Sequence, residues 1–481
     1  MKKIIYFFLF LPILAIGQAQ EATLLAHWED PSLVGSSAYD NTYNEVWGIV
    51  ANNREFAIIG STAGTHFIDV TEPENIHEVA FVAGTVQGPS IIHRDYHDYQ
   101  CYLYAVADEG FNSTIQVIDY SNLPDAVEVV YDSQEFFYRS HNIFIDTSAA
   151  RLYAAPCVTT SNNYIPLRIL SLENPEAPAL LADIQNIEGN SIGGMHDLYV
   201  RENIAYMNIG GGFMVADLTD AQSPVYLGGL TSYPQQGYNH SGWLTDDGDT
   251  YYMADETHNM DLKAIDISDF TDIEVVNTFD AESTENGSIP HNLIVRGDYL
   301  YVSYYYDGLQ VYDISAPQNP QRVFHYDTYL EPNMTSYKGA WGVFPYLPSG
   351  NILISDMQTG LYVFEKIDNT ITGEFAALGT SGNCEVDIVS VQEADLPFND
   401  VQISPLPFDQ QINIAFSLNE SQNIQFALLD QTGRTIRQLA NETFTAGQQQ
   451  VAYTISDLPA GMYFLELQGE TQRAVYKVIS L

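Results

Sequence analysis

Basic residues are scarce in this sequence. Its 481 residues include 17 Lys and Arg against 62 Asp and Glu, which gives a formal charge of −45 at pH 7. A surface of this sign repels phosphate backbones and anionic lipid headgroups, so we expect neither a nucleic acid nor a membrane surface as a partner. Solubility outside the cell is the first explanation of the excess acid, and binding of divalent cations is the second.

Cysteine is also rare, and the usual catalytic motifs are missing. Cys101, Cys157 and Cys384 are an odd number, so at least one lacks an intrachain partner, and their pairing is left open. Their spacing matches neither a zinc site nor a CxxC redox motif. HExxH does not occur, no Ser-His-Asp constellation stands out, and the glycines near Gly193 and Gly210 lack the strand-to-helix setting of a phosphate loop. Phosphate and dinucleotide chemistry are therefore not predicted.

Long hydrophobic runs are missing after the first 20 residues. Lys2 and Lys3 precede an apolar run from Ile4 to Ile16, which is followed by Gly17. This order is typical of a secretory signal peptide, which we predict over residues 1–20. No later stretch approaches the roughly 18 consecutive apolar residues of a membrane helix. The sequence thus predicts a secreted chain that begins between residues 18 and 21 and has no transmembrane segment.

Strand-forming residues are abundant and are arranged in repeats. Hydrophobic residues make up 46% of the chain, charged residues 16%, and 33 residues are Tyr, a composition that favours β-strands. A β-rich run followed by a turn with Pro, Asn or Ser occurs seven times, 46 to 52 residues apart. The runs end at Asp69, Asp119, Ser171, Asp217, Asp266, Asp313 and Glu365. This period suits four-stranded blades and predicts an all-β fold, a seven-bladed β-propeller. We expect the repeated Asp to cap the turns.

The last repeat lacks its fourth strand. A matching strand, ATLLAHW from Ala22, occurs instead at the start of the mature chain. We expect residues 22–28 to pair beside residues 361–366 and so to complete the last blade. Such a closure protects the sheet edges that would otherwise invite aggregation.

The repeats resemble the LVIVD-type propeller repeat, and their order resembles the choice-of-anchor B family of secreted proteins over residues 22–367. The stretches that carry the likeness are NEVWGI from Asn44, GSTAGTHFIDVTEP from Gly60, SHNIFID from Ser140, MHDLYV from Met195, NHSGWLTDDGDTYYMADE from Asn239, HNLIVRGDYLYV from His291 and GAWGVFPYLPSGNILISDMQTGLYVFE from Gly339. The resemblance implies a secreted or surface propeller of residues 21–367 with an interchangeable C-terminal anchor. It implies no particular reaction.

The C-terminal residues differ from the repeats. Residues 368–399 lack a sustained period and read as a linker, whereas residues 400–481 alternate apolar and polar positions, which favours a small β-sandwich. LLDQTGRTIRQL from Leu428, DLPAGMYFLEL from Asp457 and the final YKVIS resemble a type A sorting domain of the type IX secretion system. The resemblance implies export by that machinery across the outer membrane of a Bacteroidota-type bacterium, followed by release or anchoring at the surface.

Candidate functional residues gather at one predicted end of the propeller. In a blade, the first strand starts on the face at which the second strand ends, so these two sets of residues are expected to surround one channel mouth. The starts of first strands supply His93, Arg94, Asp95, His141, His196, Asp197, His240 and His291. The ends of second strands supply Asp108, Glu109, Asp255 and Glu256.

Two interpretations of these residues stay open. Imidazoles and carboxylates that converge at a concave mouth fit a divalent metal site, with His141, His196, His240 and His291 as ligands. The same histidines also suit hydrogen bonds to the backbone of neighbouring blades. We therefore expect a binding module for a glycan, a peptide or a surface protein. The alternative is a metal-dependent hydrolase or lactonase that uses the His/Asp site, with a divalent metal as its cofactor.

Overall fold

β-Strands rich in aromatic and β-branched residues build the protein. The computed structural model describes residues 19–283, 285, 287–367, 384, 398–404, 411–418, 421–429, 435–455, 458, 461–469 and 473–480. The predicted signal peptide and linker lie outside these residues, apart from residues 19–20, 384 and 398–399. Contacts divide the chain into two units, Met1–Glu385 and Val386–Leu481.

The first unit contains 32 strands and, among the described residues, one helical turn, a 3₁₀ turn at Pro73–Asn75. The strands are β1 (Gln20–Glu21), β2 (Leu24–Trp28), β3 (Tyr43–Ala51), β4 (Arg54–Ser61), β5 (Gly64–Asp69), β6 (His77–Ala83), β7 (Arg94–Tyr99), β8 (Tyr102–Ala107), β9 (Ile115–Asp119), β10 (Glu128–Ser133), β11 (Arg139–Asp146), β12 (Arg151–Val158), β13 (Tyr164–Ile165), β14 (Leu167–Ser171), β15 (Ala179–Ile184), β16 (Asn186–Ile187), β17 (Asn190–Ser191), β18 (Met195–Arg201), β19 (Ile204–Ile209), β20 (Gly212–Asp217), β21 (Val225–Leu230), β22 (Asn239–Leu244), β23 (Thr250–Asp255), β24 (Leu262–Asp266), β25 (Glu274–Phe279), β26 (Leu293–Arg296), β27 (Tyr299–Ser303), β28 (Leu309–Asp313), β29 (Gln321–Tyr326), β30 (Ala340–Phe344), β31 (Ile352–Asp356) and β32 (Gly360–Phe364).

Seven antiparallel sheets of four main strands form the blades. Blades 1 and 2 are β3 to β6 and β7 to β10, and blade 3 is β11, β12, β14 and β15, with β13 beside β12. Blades 4, 5 and 6 follow as β18 to β21, β22 to β25 and β26 to β29, and blade 7 is β30, β31, β32 and β2. The first strands contact one another in a closed cycle, β3, β7, β11, β18, β22, β26 and β30. The predicted all-β propeller fold is confirmed, and its first strands surround a central channel.

The repeated acidic and hydroxyl residues end the third strand of each blade. Asp69, Asp119 and Asp217 each accept a hydrogen bond from the backbone amide two residues further on, at 2.8 to 3.0 Å. Ser171, Asp266 and Asp313 accept the same bond. The predicted turn-capping role is confirmed at these six positions.

Tyrosine fills the space between blades. Tyr104 of blade 2 donates a hydrogen bond to the carbonyl of Pro175 at 2.8 Å, and Tyr252 of blade 5 donates to the carbonyl of Pro317 at 2.9 Å. Each bond joins a second strand to the turn of the next blade. The aromatic ring of each tyrosine is therefore buried between two sheets while its hydroxyl keeps a hydrogen bond. This arrangement suits the high tyrosine content of the chain.

The N-terminal strands close the ring. β2 pairs antiparallel with β32, and His27 lies opposite Tyr362 and Trp28 opposite Leu361. The predicted pairing of residues 22–28 beside the last strand is confirmed. In addition, β1 pairs in parallel with β29 of blade 6, so the N-terminal segment joins the outer edges of blades 6 and 7.

One disulfide joins distant parts of the first unit. Cys101, in the turn between β7 and β8, is bonded to Cys384. The backbone of Cys384 also exchanges hydrogen bonds with Val50 and Asn52 at the end of β3. Cys157 is free and buried, and burial raises its thiol pKa to about 12, so it is an inert residue of the blade 3 core.

The second unit has two sheets. Its strands are β33 (Phe398–Ser404), β34 (Gln411–Leu418), β35 (Gln422–Leu429), β36 (Thr435–Phe444), β37 (Gly447–Thr454), β38 (Gly461–Gln468) and β39 (Arg473–Ser480). One sheet has the order β33, β34, β37 and the other β36, β35, β38, β39. Phe416 from the first sheet and Phe426 and Leu465 from the second share one buried core, which is the arrangement of a small β-sandwich.

No helix in the described part of the chain is long and apolar enough to cross a membrane.

We predict that closure of the ring depends on Trp28. Its ring packs against Tyr43 and His66 of blade 1, with centroids 6.1 and 5.3 Å away, so Trp28→Ala removes a contact between the closing strand and the next blade. We expect unfolding free energy to fall by about 2 kcal/mol, as measured by urea denaturation. Leu25→Ala, on the same strand but 37% exposed, is the control and is expected to change it by less than about 0.5 kcal/mol. Equal effects of both changes would contradict this role.

Candidate metal and ligand site at the channel mouth

Six aromatic side chains form a closed circle at one end of the channel. They come from the starts of the first strands of blades 2 to 7, and we name them the histidine crown: His93, His141, His196, His240, His291 and Trp341. Successive ring centroids are 4.9, 4.3, 4.0, 4.4 and 4.7 Å apart, and Trp341 returns to His93 at 5.3 Å. The structure thus brings together all five histidines that the sequence analysis singled out.

Irregular pairing at the starts of the first strands helps to place these side chains. The register of β18 shifts between Met195 and Asp197, and that of β22 shifts between Asn239 and Ser241. At such a bulge the strict alternation of side chains is broken. Two consecutive residues can then face the channel, as His196 and Asp197 do at successive depths.

Most imidazoles of the crown are held from outside through Nδ1. His141 Nδ1 lies 2.9 Å from Asp108, and His93 Nδ1 is bonded to Glu109. His196 Nδ1 lies 3.1 Å from the carbonyl oxygen of His240, and His291 Nδ1 is bonded to the carbonyl of Trp341. A carbonyl oxygen only accepts, so neutral His196 and His291 carry their proton on Nδ1 and keep a lone pair on Nε2. This outer anchoring is also how proteins orient metal-binding histidines.

His240 differs from its neighbours. Its buried Nδ1 has no hydrogen-bond partner, and its Nε2 lies 3.8 Å from Glu256 Oε2. The other oxygen of Glu256 accepts a bond of 2.7 Å from Tyr305. Among the described residues, two groups bring their ligand atoms within 4.8 Å of one another, namely His196, His240 and Glu256, and His93, Asp108 and His141.

The two groups differ in protonation. Burial, reinforced by the neighbouring histidines, holds the pKa of His196 and of His240 well below the ordinary value. Burial also lowers the pKa of His291, to about 3. For His141 burial acts in the same direction, but the hydrogen bond and charge of Asp108 outweigh it and raise the pKa. Near neutral pH the imidazoles of His196, His240 and His291 are therefore neutral, which is the form that binds metal. His141 retains a proton more readily.

Two predicted site residues belong to the scaffold. Arg94 is buried, and its guanidinium donates to the carbonyls of Ser61 and Val86 at 2.7 and 2.8 Å. Asp255 is fully buried and forms an ion pair of 3.0 Å with Lys263. Arg94 thus bonds blade 2 to blade 1, although it also lines the cavity at the crown, whereas Asp255 stabilises blade 5 and lies in neither metal group.

An open cleft of about 540 Å³ adjoins the crown. Asp108, His141 and His196 line it together with Tyr164 and Tyr238, which are 45% and 43% exposed. The two tyrosines were missed by sequence reasoning because they lie in connections, outside the strands that repeat. A Cβ atom at Gly210 would come within 2.6 Å of the Tyr238 ring, so the glycine permits the ring to lie against the wall of the cleft.

A second polar layer lies deeper in the channel. We name it the chamber and define it by Glu45, Asp95, Asn142, Asp197 and Asn292, which line one cavity and come from five different blades. Asp95 and Asp197 were expected at the mouth itself, and Glu45 was not expected. Burial raises the pKa of Asp95 and of Asp197 to about 7, and the charge of Asp95 adds to the effect on Asp197.

A cluster of aromatic side chains adjoins the chamber. Trp47 lies against His97 and Phe344, with ring centroids 4.4 and 4.8 Å away, and Tyr199 lies 4.8 Å from Trp243. Phe144 joins these groups, 5.0 Å from His97 and 5.3 Å from Tyr199. Trp47, His97, Phe144 and Trp243 also line the chamber, so its polar side chains adjoin a largely aromatic wall.

The repeats, the ring of sheets and the layered channel define a β-propeller with a polar mouth. The LVIVD repeat model matches residues 290–328, and the model of the secretion system C-terminal sorting domain matches residues 402–480. The chain is thus an LVIVD-repeat propeller that ends in a type IX sorting domain, and it is secreted or displayed at the cell surface.

Solved structures with a similar fold are distant. The periplasmic gluconolactonase PpgL of Pseudomonas aeruginosa is 9% identical, with 86% of this chain and 99% of that chain covered and a TM-score of 0.48. The WD40 repeats of RRP9 are 8% identical, with 72% and 99% covered and a TM-score of 0.47. No curated protein matches the chain. These similarities are too weak to transfer any activity.

We predict that residues 401–481 are needed for export and not for ligand binding, because the sorting domain covers them. Deleting them in the natural host is expected to leave the propeller in the periplasm, as measured by protease accessibility on intact cells. The full-length chain, expressed at the same level, is the control. Normal surface appearance of the truncated chain would contradict this prediction.

Proposed function

We propose that the protein is a secreted binding module whose ligand site is the channel mouth, and that His196, His240 and Glu256 hold a divalent transition metal ion there. The observation that carries the proposal is the geometry of the crown, in which backbone carbonyls and carboxylates orient the imidazoles and leave Nε2 atoms for a ligand. Two nitrogens and one carboxylate oxygen suit zinc, nickel or copper, and leave coordination positions open.

The group that contains His240 is the better of the two candidates. In the other group, His141 and Asp108 already bond to each other at 2.9 Å, and a metal would have to displace the proton that this pair favours. His240 and Glu256 are 3.8 Å apart, and the buried Nδ1 of His240 lacks a partner. A cation held between His240 Nε2 and Glu256 would neutralise the carboxylate that faces this buried imidazole.

The cleft beside the metal group supports a binding role. Exposed Tyr164 and Tyr238 offer flat apolar faces, and Asp108 offers a hydrogen-bond acceptor within the same cleft. A volume of about 540 Å³ is within the range of small-ligand sites. A sugar unit or a short peptide segment of a surface protein fits this combination, whereas the charge of −45 disfavours nucleic acid.

We predict that the double variant His196→Ala, His240→Ala loses uptake of Zn²⁺. The affinity is expected to fall by more than about 100-fold, since even partners that only orient a ligand contribute up to that factor. Isothermal titration calorimetry and metal analysis of the full-length protein measure it. Because burial lowers both imidazole pKa values, uptake by the natural protein should persist below pH 6.5 and be lost in stronger acid.

The exposed His77, which lies outside both metal groups, supplies the matched control. His77→Ala should bind Zn²⁺ as the natural protein does. A natural protein without a stoichiometric site, or a double variant with unchanged affinity, would show that the crown serves only to bond neighbouring blades.

We predict that the cleft tyrosines carry ligand binding. On glycan and peptide arrays, Tyr238→Ala should reduce the signal of any bound probe at least about 10-fold, since aromatic contacts often dominate a binding site. Tyr226→Ala, on β21 of blade 4 and outside the cleft, is the control. Equal binding by both variants would exclude the cleft as the ligand site.

A metal-dependent hydrolase or lactonase is the second candidate. It is favoured by one observation, which is that His196 belongs both to the metal group and to the wall of the cleft. A metal held by His196, His240 and Glu256 would supply Lewis-acid activation of water next to the cleft. Hydrolysis of lactones by the Zn²⁺-loaded protein, abolished by EDTA and by the His196 and His240 changes, would favour catalysis over binding alone.

A further inference from the structure

Exposed aromatic side chains gather on the mouth face of the propeller. Among the described residues, the exposed Phe and Tyr side chains are Phe81, Phe111, Tyr164 and Tyr238. Phe81 lies on the outer strand β6, whereas the other three lie in connections at the mouth, and we name these three the aromatic track. Phe111 is 83% exposed. Single exposed apolar residues are ordinary, but a series on one face marks an interaction surface.

Phe111 is connected to the cleft through Tyr138. The ring of Phe111 lies 5.9 Å from that of Tyr138. The Tyr138 hydroxyl donates to Asn162 Oδ1 at 3.4 Å, and Asn162 belongs to the connection of blade 3 that also carries Tyr164. The track therefore runs through successive contacts from blade 2 into the cleft, which makes the binding surface longer than the cleft itself.

Polar side chains accompany the track. Arg139, 41% exposed, places its guanidinium 5.8 Å from the centre of the Tyr138 ring and donates to the carbonyl of Asp108 at 3.3 Å. Among the residues that line the cleft, Asp108 supplies the carboxylate, and it is already bonded to His141 at 2.9 Å. A cationic ligand would thus find its counter-charge in use. The net charge of −45 repels anionic polymers, so the surface suits a neutral ligand.

Tyr164 and Tyr238 are held in place without a ligand. The Tyr164 hydroxyl donates to the carbonyl of Gly193 at 3.0 Å, and the Tyr238 ring lies 5.4 Å from the imidazole of His196. Because neighbouring groups already fix these rings, a ligand that stacks on them does not bear the cost of ordering them. The track is therefore a rigid series of flat apolar surfaces.

We propose that the aromatic track and the cleft together bind a neutral oligosaccharide, with one sugar unit against each of the three aromatic rings. This inference rests on the proposed function, since Tyr164 and Tyr238 line the same cleft. The C–H face of a sugar ring packs on the electron-rich face of an aromatic ring, and Asn162 and Arg139 offer hydrogen bonds to hydroxyl groups. A peptide that adds a strand needs a free sheet edge, whereas the track crosses connections between strands.

The test uses the full-length protein on arrays that carry neutral glycans of increasing length, acidic polysaccharides and Pro-rich peptides. We expect binding to neutral glycans. The affinity should rise until the glycan has as many sugar units as the track has rings, because each added unit contacts a further ring. Isothermal titration calorimetry with the shortest and the longest glycans that bind then gives their affinities.

Phe111→Ala is expected to lower the affinity for the longest glycan about 5-fold and to leave the affinity for the shortest one unchanged. Phe81→Ala is the matched control, since it removes the same side chain from an exposed position, 42% exposed, on an outer strand. It should change neither affinity. Tyr238→Ala, within the cleft, should weaken the binding of both glycans.

The outcomes separate this inference from the function on which it rests. If Tyr238→Ala weakens binding but Phe111→Ala does not, the ligand is confined to the cleft, and the extended track is overturned while the proposed function stands. If Tyr238→Ala has no effect either, the mouth is not the ligand site. Binding of acidic polysaccharides or peptides alone, or of no glycan at all, would overturn the neutral oligosaccharide as the ligand.

Discussion

Closure of the ring of blades is the constraint on which the rest of this structure depends. Each polar layer of the channel takes its residues from different blades, so no layer exists in any single repeat. His93 of blade 2 meets Trp341 of blade 7 at 5.3 Å only because the first and last blades are neighbours. That neighbourhood rests in turn on the pairing of β2 with β32 at the periphery. The short N-terminal strand β2 therefore determines how side chains are arranged along the propeller axis, although β2 itself lies at the periphery.

The channel separates two kinds of polar chemistry by depth. Imidazoles occupy the mouth, where outer hydrogen bonds orient them and burial keeps three of them neutral. Carboxylates and amides occupy the next layer, beside a cluster of aromatic side chains. The separation arises from consecutive residues of one strand, as with His196 and Asp197, because irregular pairing lets both face inward. Imidazole nitrogens thus predominate at the mouth and carboxylate and amide oxygens in the layer next to it.

The regular part of the fold could be predicted from the sequence because it repeats. The spacing of Asp69, Asp119 and Asp217 indicated both the blades and the turn-capping bonds, and the missing strand of the last repeat indicated the closure. Histidines at the start of successive repeats likewise indicated a common position. These features follow from local sequence and from the closed geometry of a propeller, which leaves few alternatives.

The irregular part of the site could not be predicted in the same way. Asp197 lies one layer below the mouth beside a bulge that no local pattern indicated, whereas Asp95 reaches the same layer from a regularly paired strand. Asp255 resembles the other carboxylates in sequence, but its partner Lys263 on the next strand is recognisable only in the folded sheet. Glu45 belongs to the chamber although the first strand of its repeat has no histidine, and the pairing of Cys101 with Cys384 connects residues 283 positions apart.

That last pairing also has a mechanical consequence. The chain leaves the propeller after β32, whose hydrogen bonds to β31 and β2 would open one by one if tension were applied to the chain that follows. With Cys384 covalently attached to Cys101, a pull from the C-terminal side is transmitted to the turn between β7 and β8 of blade 2. The load bypasses the closing strand, so in an oxidising exterior the blade that seals the ring is not the one that bears a pull on the C-terminal domain.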